Sequence, residues 1–183
     1  LPVLRANRLM GTATEAIDAL APDLGVIVAY GGLVREPLLS IPRLGWINLH
    51  FSLLPRWRGA APVQRAIMAG DETTGATVFR LVEELDAGDV LGQSVQAIGA
   101  HQTAGNLLAS LSVSGAELLA RVVDSLADGS ARAQEQSGEV TLAPKLTLSD
   151  GEIDWTLAAE TVGARIRGVT PEPGAFTIID GSR

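Results

Sequence analysis

The stretch that decides the fold is residues 45–59, which read Gly-Trp-Ile-Asn-Leu-His-Phe-Ser-Leu-Leu-Pro-Arg-Trp-Arg-Gly. Its first half predicts a short apolar strand, and its second half a loop bent by a proline. Because side chains alternate across a strand, Asn48 and His50 point to one face of the sheet, and Ile47 and Leu49 point to the other. A carboxamide that can stabilise an oxyanion, beside an imidazole that can transfer protons near neutral pH, suits nucleophilic attack on a carbonyl. We therefore predict a catalytic site on this strand.

The segments around this strand predict an α/β sheet. Residues 24–30 form an uninterrupted apolar run, which is typical of a strand buried on both faces, as in a parallel sheet. Two more strands are predicted at residues 76–82 and 90–98, with an acidic loop between them at 83–89. In such sheets, sites lie at the carboxyl ends of strands. Gly31-Gly32, residues 50–55 and Asp86 are therefore expected to cluster there.

Helical spacing predicts one long helix, residues 103–126, which should be interrupted at Gly115. Shorter helices are predicted at residues 12–20, 60–69 and 157–166, and a helical turn at 37–39. The pattern weakens over residues 130–149, which we interpret as a linker with a strand near 140–142. A further strand is predicted to start at residues 175–179.

Composition narrows the classes of protein that this chain can belong to. The 183 residues are 46% hydrophobic and 19% charged, which is enough for a buried core and about one domain. The chain has no cysteine, so a disulfide framework, a thiolate metal site and a thiol nucleophile are excluded, and an intracellular protein is expected. No uninterrupted apolar run is long enough to predict a membrane span.

The charge is distributed unevenly. The net charge of −7 argues against binding to phosphates, but residues 1–65 hold seven arginines against four carboxylates, a local charge of +3. A basic rim around the Asn48/His50 strand could therefore meet an anionic substrate, although ordinary solvated arginines explain the same pattern. The other histidine, His101, lies in a polar stretch. Because His50 and His101 are far apart in the sequence, they give little support to a metal site.

Several motifs together resemble a known family. Those motifs are Asn48-Leu49-His50, Ser52-Leu53-Leu54-Pro55, Gly59 and Leu85-Asp86-Ala87-Gly88, and in this order they resemble the folate-dependent formyltransferases. Within that family, the segments 55–67, 143–146, 153–155, 166–168 and 173–175 are similar to the methionyl-tRNA-specific members. This chain keeps the aspartate of the family's Gly-Leu-Asp-Thr-Gly motif but carries Glu84 and Ala87 in place of its first glycine and its threonine.

The resemblance implies a reaction and roles for three residues. The formyl group of 10-formyltetrahydrofolate would pass to the α-amine of initiator methionyl-tRNA through a tetrahedral intermediate, without a metal. Asn48 and a protonated His50 would stabilise the oxyanion. Asp86 would raise the pKa of the imidazole and help to move the proton from the amine to the leaving nitrogen.

The resemblance also implies a folate pocket. The matching positions are Gly32, Leu33, Val34, Ser52, Leu53, Leu54, Pro55, Val82, Glu83, Glu84 and Leu85. Backbone groups would read the pterin edge, and leucines would cover its ring, although the same leucines suit an ordinary core. The Leu54–Pro55 bond is a candidate for the cis form.

The implied architecture is a Rossmann-like formyltransferase sheet with helices on both faces, followed by the start of a small C-terminal β-barrel. Residues 1–129 would be a catalytic domain truncated at its N-terminus, 130–149 a linker, and 150–183 the start of a truncated tRNA-binding-type domain. We read the chain as a fragment, and expect a cytoplasmic monomer without a membrane role.

Three alternatives stay open at this stage. A relative that formylates an amino sugar nucleotide would use the same three side chains. Hydrolase or dehydrogenase relatives, which release formate or oxidise the formyl group, would share the fold and the folate pocket. A noncatalytic folate- or nucleotide-binding module would also suit Gly31-Gly32, although that pair lacks the spaced fingerprint of a dinucleotide site. The fold by itself does not choose among these functions.

Overall fold

The computed structural model describes residues 3–180, and its central element is a four-stranded mixed sheet. In chain order the elements are α1 (Thr12–Asp18), β1 (Gly25–Val28), β2 (Trp46–His50), β3 (Arg58–Gly59), α2 (Pro62–Met68), β4 (Thr73–Arg80), β5 (Val90–Ala97), α3 (Ala104–Ala127), β6 (Leu142–Ala143) and α4 (Ala159–Gly168). Short 3-10 helices lie at Leu38–Ser40 and Leu148–Gly151. The sheet order is β1-β2-β4-β5, and β3 pairs separately with β6. The predicted α/β sheet is confirmed, but only β1 and β2 are parallel; β4 and β5 join them as antiparallel strands.

Strand β2 separates the core from the site, as its alternation predicts. Ile47 and Leu49 are buried in a cluster with Val78 of β4 and Leu118 of α3. On the opposite face, Trp46 packs in a second cluster with apolar residues of β1 and of the following loop, next to Ile17 of α1. Helices therefore contribute to both faces of the sheet, and the face that carries Asn48 and His50 is the one on which a cavity opens.

Strand β1 is less buried than its sequence predicts. The side chain of Ile27 is buried, but Val26 and Val28 are 43% and 49% exposed. These two valines lie on the face of the sheet that α3 covers, yet α3 packs chiefly against β4 and β5. The prediction of burial on both faces is wrong for the described residues, because an apolar run reports hydrophobicity and not which neighbour covers it.

Helix α3 is continuous, and the predicted interruption at Gly115 is wrong. The helix begins after Thr103, whose hydroxyl accepts a hydrogen bond from the Asn106 N–H at 3.3 Å. A Cβ atom at Gly115 would lie 3.2 Å from the side chains of both Leu49 and Phe51. The glycine is therefore explained by the close approach of the helix to β2 rather than by a helix break.

Substituting Gly115 is expected to lower the stability of the fold. Gly115→Leu should lower the free energy of unfolding by about 1–3 kcal/mol, because the added side chain must displace Leu49 and Phe51 from a packed core. Urea unfolding measures the change, and Ala116→Leu, at the adjacent exposed position, should stay within about 0.5 kcal/mol of the parent. Equal stabilities for the two variants would contradict this account of the packing.

By length and composition, α3 is also the one described helix long and apolar enough to cross a membrane. In the described residues its apolar side packs on protein. Leu107 and Leu111 contact Val63 and Ile67 of α2, while other leucines and valines of α3 contact the sheet. This packing accounts for the apolar stripe as a core helix.

The carboxyl-terminal third packs against the rest of the chain. Residue Gln134 forms an antiparallel bridge with Val90, and β6 lies close to the predicted strand at 140–142. Helix α4 corresponds to the predicted helix at 157–166 and packs on α2, where a side chain at Gly168 would collide with Met68. In place of the strand predicted at 175–179, the structure has an isolated β-bridge between Phe176 and Glu152.

Candidate active site

A cavity of about 710 Å³ opens beside the carboxyl ends of β1 and β2. Asn48 and His50 of β2 line it, and so does Asp86 from the loop between β4 and β5. The three residues that the sequence singled out therefore face one cavity. The Asn48 carboxamide forms no hydrogen bond with the part of the chain that the structure describes, which leaves its donors available to a ligand.

His50 is held from both of its ring nitrogens. Nε2 lies 2.9 Å from the backbone carbonyl oxygen of Trp57, and because a carbonyl can only accept, Nε2 must carry a proton. Nδ1 lies 3.9 Å from Oδ2 of Asp86. In the neutral imidazole Nδ1 is therefore the basic nitrogen, and a proton gained there would lie beside a carboxylate.

Burial lowers the pKa of His50 below its ordinary value, and this effect outweighs the opposing effects of Asp86 and of the Trp57 carbonyl. Only 7% of the side chain is exposed, so the charged form loses most of its hydration. The expectation of a protonated His50 with a raised pKa is therefore corrected. Asp86 does favour the charged form, but burial favours the neutral imidazole more strongly.

The lowered pKa predicts how stability depends on pH. Below pH 6.5, the unfolded chain gains a proton at His50 while the folded chain does not, so stability should fall with decreasing pH until the folded pKa is reached. One site contributes at most about 1.4 kcal/mol per pH unit. Urea unfolding of the parent and of His50→Gln between pH 5 and 8 isolates this effect. The free energy of unfolding of the parent minus that of His50→Gln should be constant above about pH 7.5 and should decrease below about pH 6.5. An increase below about pH 6.5 would mean that Asp86 outweighs burial.

Two backbone features hold Asp86 near His50. Asp86 has a φ of 47°, in the left-handed region, where aspartate is more readily accommodated than most residues. Its Oδ2 accepts a hydrogen bond from the Gly59 N–H at 2.8 Å. A side chain at Gly88 would collide with the carbonyl of Arg80, which explains why the last glycine of the predicted motif is present.

The Trp57 carbonyl is fixed by the loop that contains it. Trp57 also lies in the left-handed region, with a φ of 64°. Its backbone N–H donates to the Thr141 hydroxyl at 2.9 Å, and its indole N–H donates to Asp71 at 2.7 Å. The Arg56 guanidinium stacks on the indole ring and also pairs with Asp71. The bent loop that the proline predicts therefore serves to aim a carbonyl at His50.

Six of the eleven residues predicted for the folate pocket line the cavity. These are Gly32, Leu33, Val34, Val82, Glu84 and Leu85. Leu33, Val82 and Leu85 are each more than 40% exposed, so apolar surface faces the opening. Ile27 and Leu81 add to the same wall.

The other five predicted pocket residues do not line this cavity, and their contact with folate stays a prediction. Ser52 is buried and donates to the Arg56 carbonyl at 2.6 Å. Leu54 is buried, and its backbone bonds to Thr77 and Gln93. Leu53 lines a separate, smaller depression, while Pro55, after a cis peptide bond, and Glu83 are absent from the wall. The Ser-Leu-Leu-Pro motif thus builds the loop, because a strand that ends at His50 must turn away from the cavity.

The basic rim predicted from residues 1–65 is largely neutralised. Arg56 pairs with Asp71, Arg58 with Glu84, and Arg65 with Asp150. All three carboxylates lie beyond residue 65, so counting the charge of residues 1–65 alone overstated the local positive potential. In the described range 3–180, no group of three or more His, Asp or Glu side chains could hold a metal ion.

Sequence reasoning missed several residues at the site. Gln136 and Thr141, from the predicted linker, bond to the Asp86 loop and to Trp57. The cavity wall also includes Lys145, the chain's one lysine, and Leu108 of α3. Segment 143–146 and helix 103–126 were singled out, but neither placed Lys145 or Leu108 at the cavity, and no pattern identified Gln136 or Thr141. The β3–β6 pairing brings the carboxyl-terminal segment into place, and such short strands leave little pattern in a sequence.

Comparison with known proteins places these residues in a family. A family model described as "Formyl transferase" matches residues 4–123, and one described as "Formyl transferase, C-terminal domain" matches residues 145–183. Among curated proteins, the chain is 62% identical over 183 residues to a methionyl-tRNA formyltransferase of Clavibacter michiganensis and 54% identical to one of an Arthrobacter strain. It matches along its whole length and spans about 60% of the length of each of these relatives.

Solved structures share the fold at lower identity. A 4-N formyltransferase from Francisella tularensis superimposes with a TM-score of 0.81 at 20% identity, covering 94% of this chain and 72% of that one. HypX from Aquifex aeolicus in complex with tetrahydrofolic acid gives a TM-score of 0.80 at 20% identity, covering 92% of this chain and 29% of that one. At these identities the likeness shows a common fold and leaves the acceptor unspecified.

Proposed function

Because this chain belongs to the formyl transferase family, we propose that it transfers the formyl group of 10-formyltetrahydrofolate to the α-amine of initiator methionyl-tRNA, at the start of protein synthesis. The observation that carries the proposal is the convergence of Asn48, His50 and Asp86 on one cavity. The choice of acceptor is supported by relatives of 52–62% identity that bear the name methionyl-tRNA formyltransferase.

Asn48 has the role of polarising the formyl carbonyl. Its carboxamide lines the cavity without a protein partner in the described residues, so it can donate to the formyl oxygen as negative charge develops there. A donor carried by a strand of the sheet is held beside the cavity before the reaction starts, which makes it more effective than bulk water.

His50 acts as the proton acceptor in this proposal. Burial keeps the imidazole neutral, so Nδ1 can take a proton from the attacking amine. The Trp57 carbonyl fixes the tautomer through Nε2. Asp86 then stabilises the imidazolium from 3.9 Å, and His50 can return the proton to the leaving nitrogen of the folate.

The cavity fits a folate-type donor in size and chemistry. A volume of about 710 Å³ lies in the range of small-molecule sites, and most of its surface is apolar. Leu33, Val82 and Leu85 supply side chains that can cover a ring, while Gly31 and Gly32 expose backbone groups. We assign the pterin to this part of the wall.

The proposed division of the chain into domains is supported by the two ranges that the family models match. Residues 1–129 would form the catalytic unit, 130–149 the connection, and 150–183 the beginning of a module that contacts tRNA. We further propose a monomer that works in the cytoplasm, where aminoacylated initiator tRNA is used, without a membrane partner. Light scattering of the purified full-length protein tests the monomer directly.

The deciding experiment is an acceptor comparison. The full-length protein is incubated with 10-formyltetrahydrofolate and, in parallel, with methionyl-initiator tRNA, methionyl-elongator tRNA or an amino sugar nucleotide, and N-formyl product is quantified. We expect transfer to the initiator tRNA. Transfer to the sugar alone would replace the acceptor, release of formate without an acceptor would indicate a hydrolase, and folate binding without turnover would leave a binding module.

A further inference from the structure

Residues 124–144 lie between the ranges that the two family models match, yet they reach the catalytic loop. Gln136, a half-buried residue of this segment, contacts the loop that carries Asp86. Its Nε2 donates to the carbonyl oxygens of Asp86, at 2.7 Å, and of Gly88, at 2.9 Å. Its Oε1 accepts from Nε and Nη2 of Arg58, at 3.2 and 2.8 Å. One amide therefore joins both sides of the site.

The loop that carries Asp86 has few other attachments. Residues 82–85 are exposed, so apolar burial does little to fix them. The Asp86 carboxylate is held by the Gly59 N–H, and Gly59 follows Arg58 in β3. Gln136 thus binds the backbone of the loop and the guanidinium of Arg58, the residue before the glycine whose N–H binds the carboxylate.

We propose that Gln136 is a positioning residue that holds the Asp86 carboxylate at its working distance from His50. The expected effect of Gln136 on catalysis rests on the proposed function. Its effect on the position of Asp86 does not depend on which reaction the protein catalyses. Only a carboxamide supplies two donors and an acceptor in one plane; glutamate lacks the donors, and methionine lacks both. The segment between the two matched regions is then part of the site and not a passive connection.

The first test measures geometry without turnover. The pKa of His50 is read by NMR titration of its ring protons in the full-length protein, with His101→Gln used to assign the two histidines. Because the Asp86 charge favours imidazolium, Gln136→Met should lower the His50 pKa towards the value of Asp86→Asn. Gln134→Met, at an exposed position two residues earlier, should leave it unchanged.

The second test measures catalysis with the acceptor that the parent uses. Gln136→Met and Gln136→Glu should each lower kcat by roughly 10-fold or more with KM changed by less than about 3-fold, since small displacements of a catalytic group mainly affect the chemical step. Gln136→Glu can still accept from Arg58 but cannot donate. A fall in kcat for this variant therefore reports the loss of the hydrogen bonds to the Asp86 and Gly88 carbonyls. In an Asp86→Asn background, Gln136→Met should add little further loss.

The outcomes separate the two proposals. If the parent transfers formyl but Gln136→Met matches Gln134→Met in both kcat and His50 pKa, Gln136 does not position Asp86. A fall in kcat with an unchanged His50 pKa also overturns the inference, because a general loss of structure would then suffice. If the parent transfers formyl to no acceptor, the proposed function fails, while the NMR titration still decides the role of Gln136.

Discussion

Asn48→Ala is expected to lower kcat for formyl transfer by about 10²- to 10³-fold, with the protein still folded. The Asn48 carboxamide lines the cavity without a hydrogen-bond partner among the described residues, so it is free to donate to a formyl oxygen, and losing such an oxyanion donor removes stabilisation of the transition state. Because this bond strengthens only as charge develops, KM should change much less than kcat.

The matched control for this substitution is Asn106→Ala, which removes an exposed carboxamide in the first turn of α3. It should retain parental kcat. Steady-state kinetics at saturating folate measures both variants, and urea unfolding checks that both are folded. A raised KM with unchanged kcat at Asn48 would instead make it a residue that binds the ground state.

Asp86→Asn is expected to lower kcat by about 10²-fold or more near neutral pH. The amide oxygen can still accept from the Gly59 N–H, so the loop should persist, but the charge next to His50 Nδ1 is lost. Without that charge, the buried imidazole becomes a weaker base, because desolvation is then less opposed.

The pH profile distinguishes this role from a structural one. The acidic limb of kcat against pH reports the ionisation of the base, and in Asp86→Asn it should move to lower pH. Asp89→Asn removes a charge from the same loop and should leave the limb in place. An acidic limb that stays fixed in Asp86→Asn would mean that Asp86 does not act on His50.

The sequence predicted which residues of β2 share a face of the sheet, but it did not predict the residues that support the candidate site. The period-two alternation of β2 predicted that Asn48 and His50 share a face, and that follows from strand geometry. Their convergence with Asp86 rested on the family resemblance, since spacing along a chain does not fix a distance in space. The direction in which the pKa of His50 departs from its ordinary value could not be predicted. It depends on burial of the imidazole, to which the loop at Trp57 contributes.

Other misses have equally physical reasons. Gly115 was interpreted as a helix break because glycine is unfavourable inside helices, whereas the approach of α3 to Leu49 requires it. The contacts of Gln136 and Thr141 are long-range hydrogen bonds, and single polar residues in an aperiodic segment leave no signature of them.

The hydrogen-bond acceptor that fixes the tautomer of His50 is a backbone carbonyl, that of Trp57. Every amino acid offers a carbonyl, so replacing Trp57 by another residue does not by itself delete the partner of Nε2. What must be preserved is the backbone conformation at Trp57, which Thr141 holds through the backbone N–H and Asp71 holds through the indole N–H. Substitutions that impair this imidazole should therefore occur at Thr141, at Asp71 or at the Trp57 indole that Asp71 binds, and not only at His50 itself.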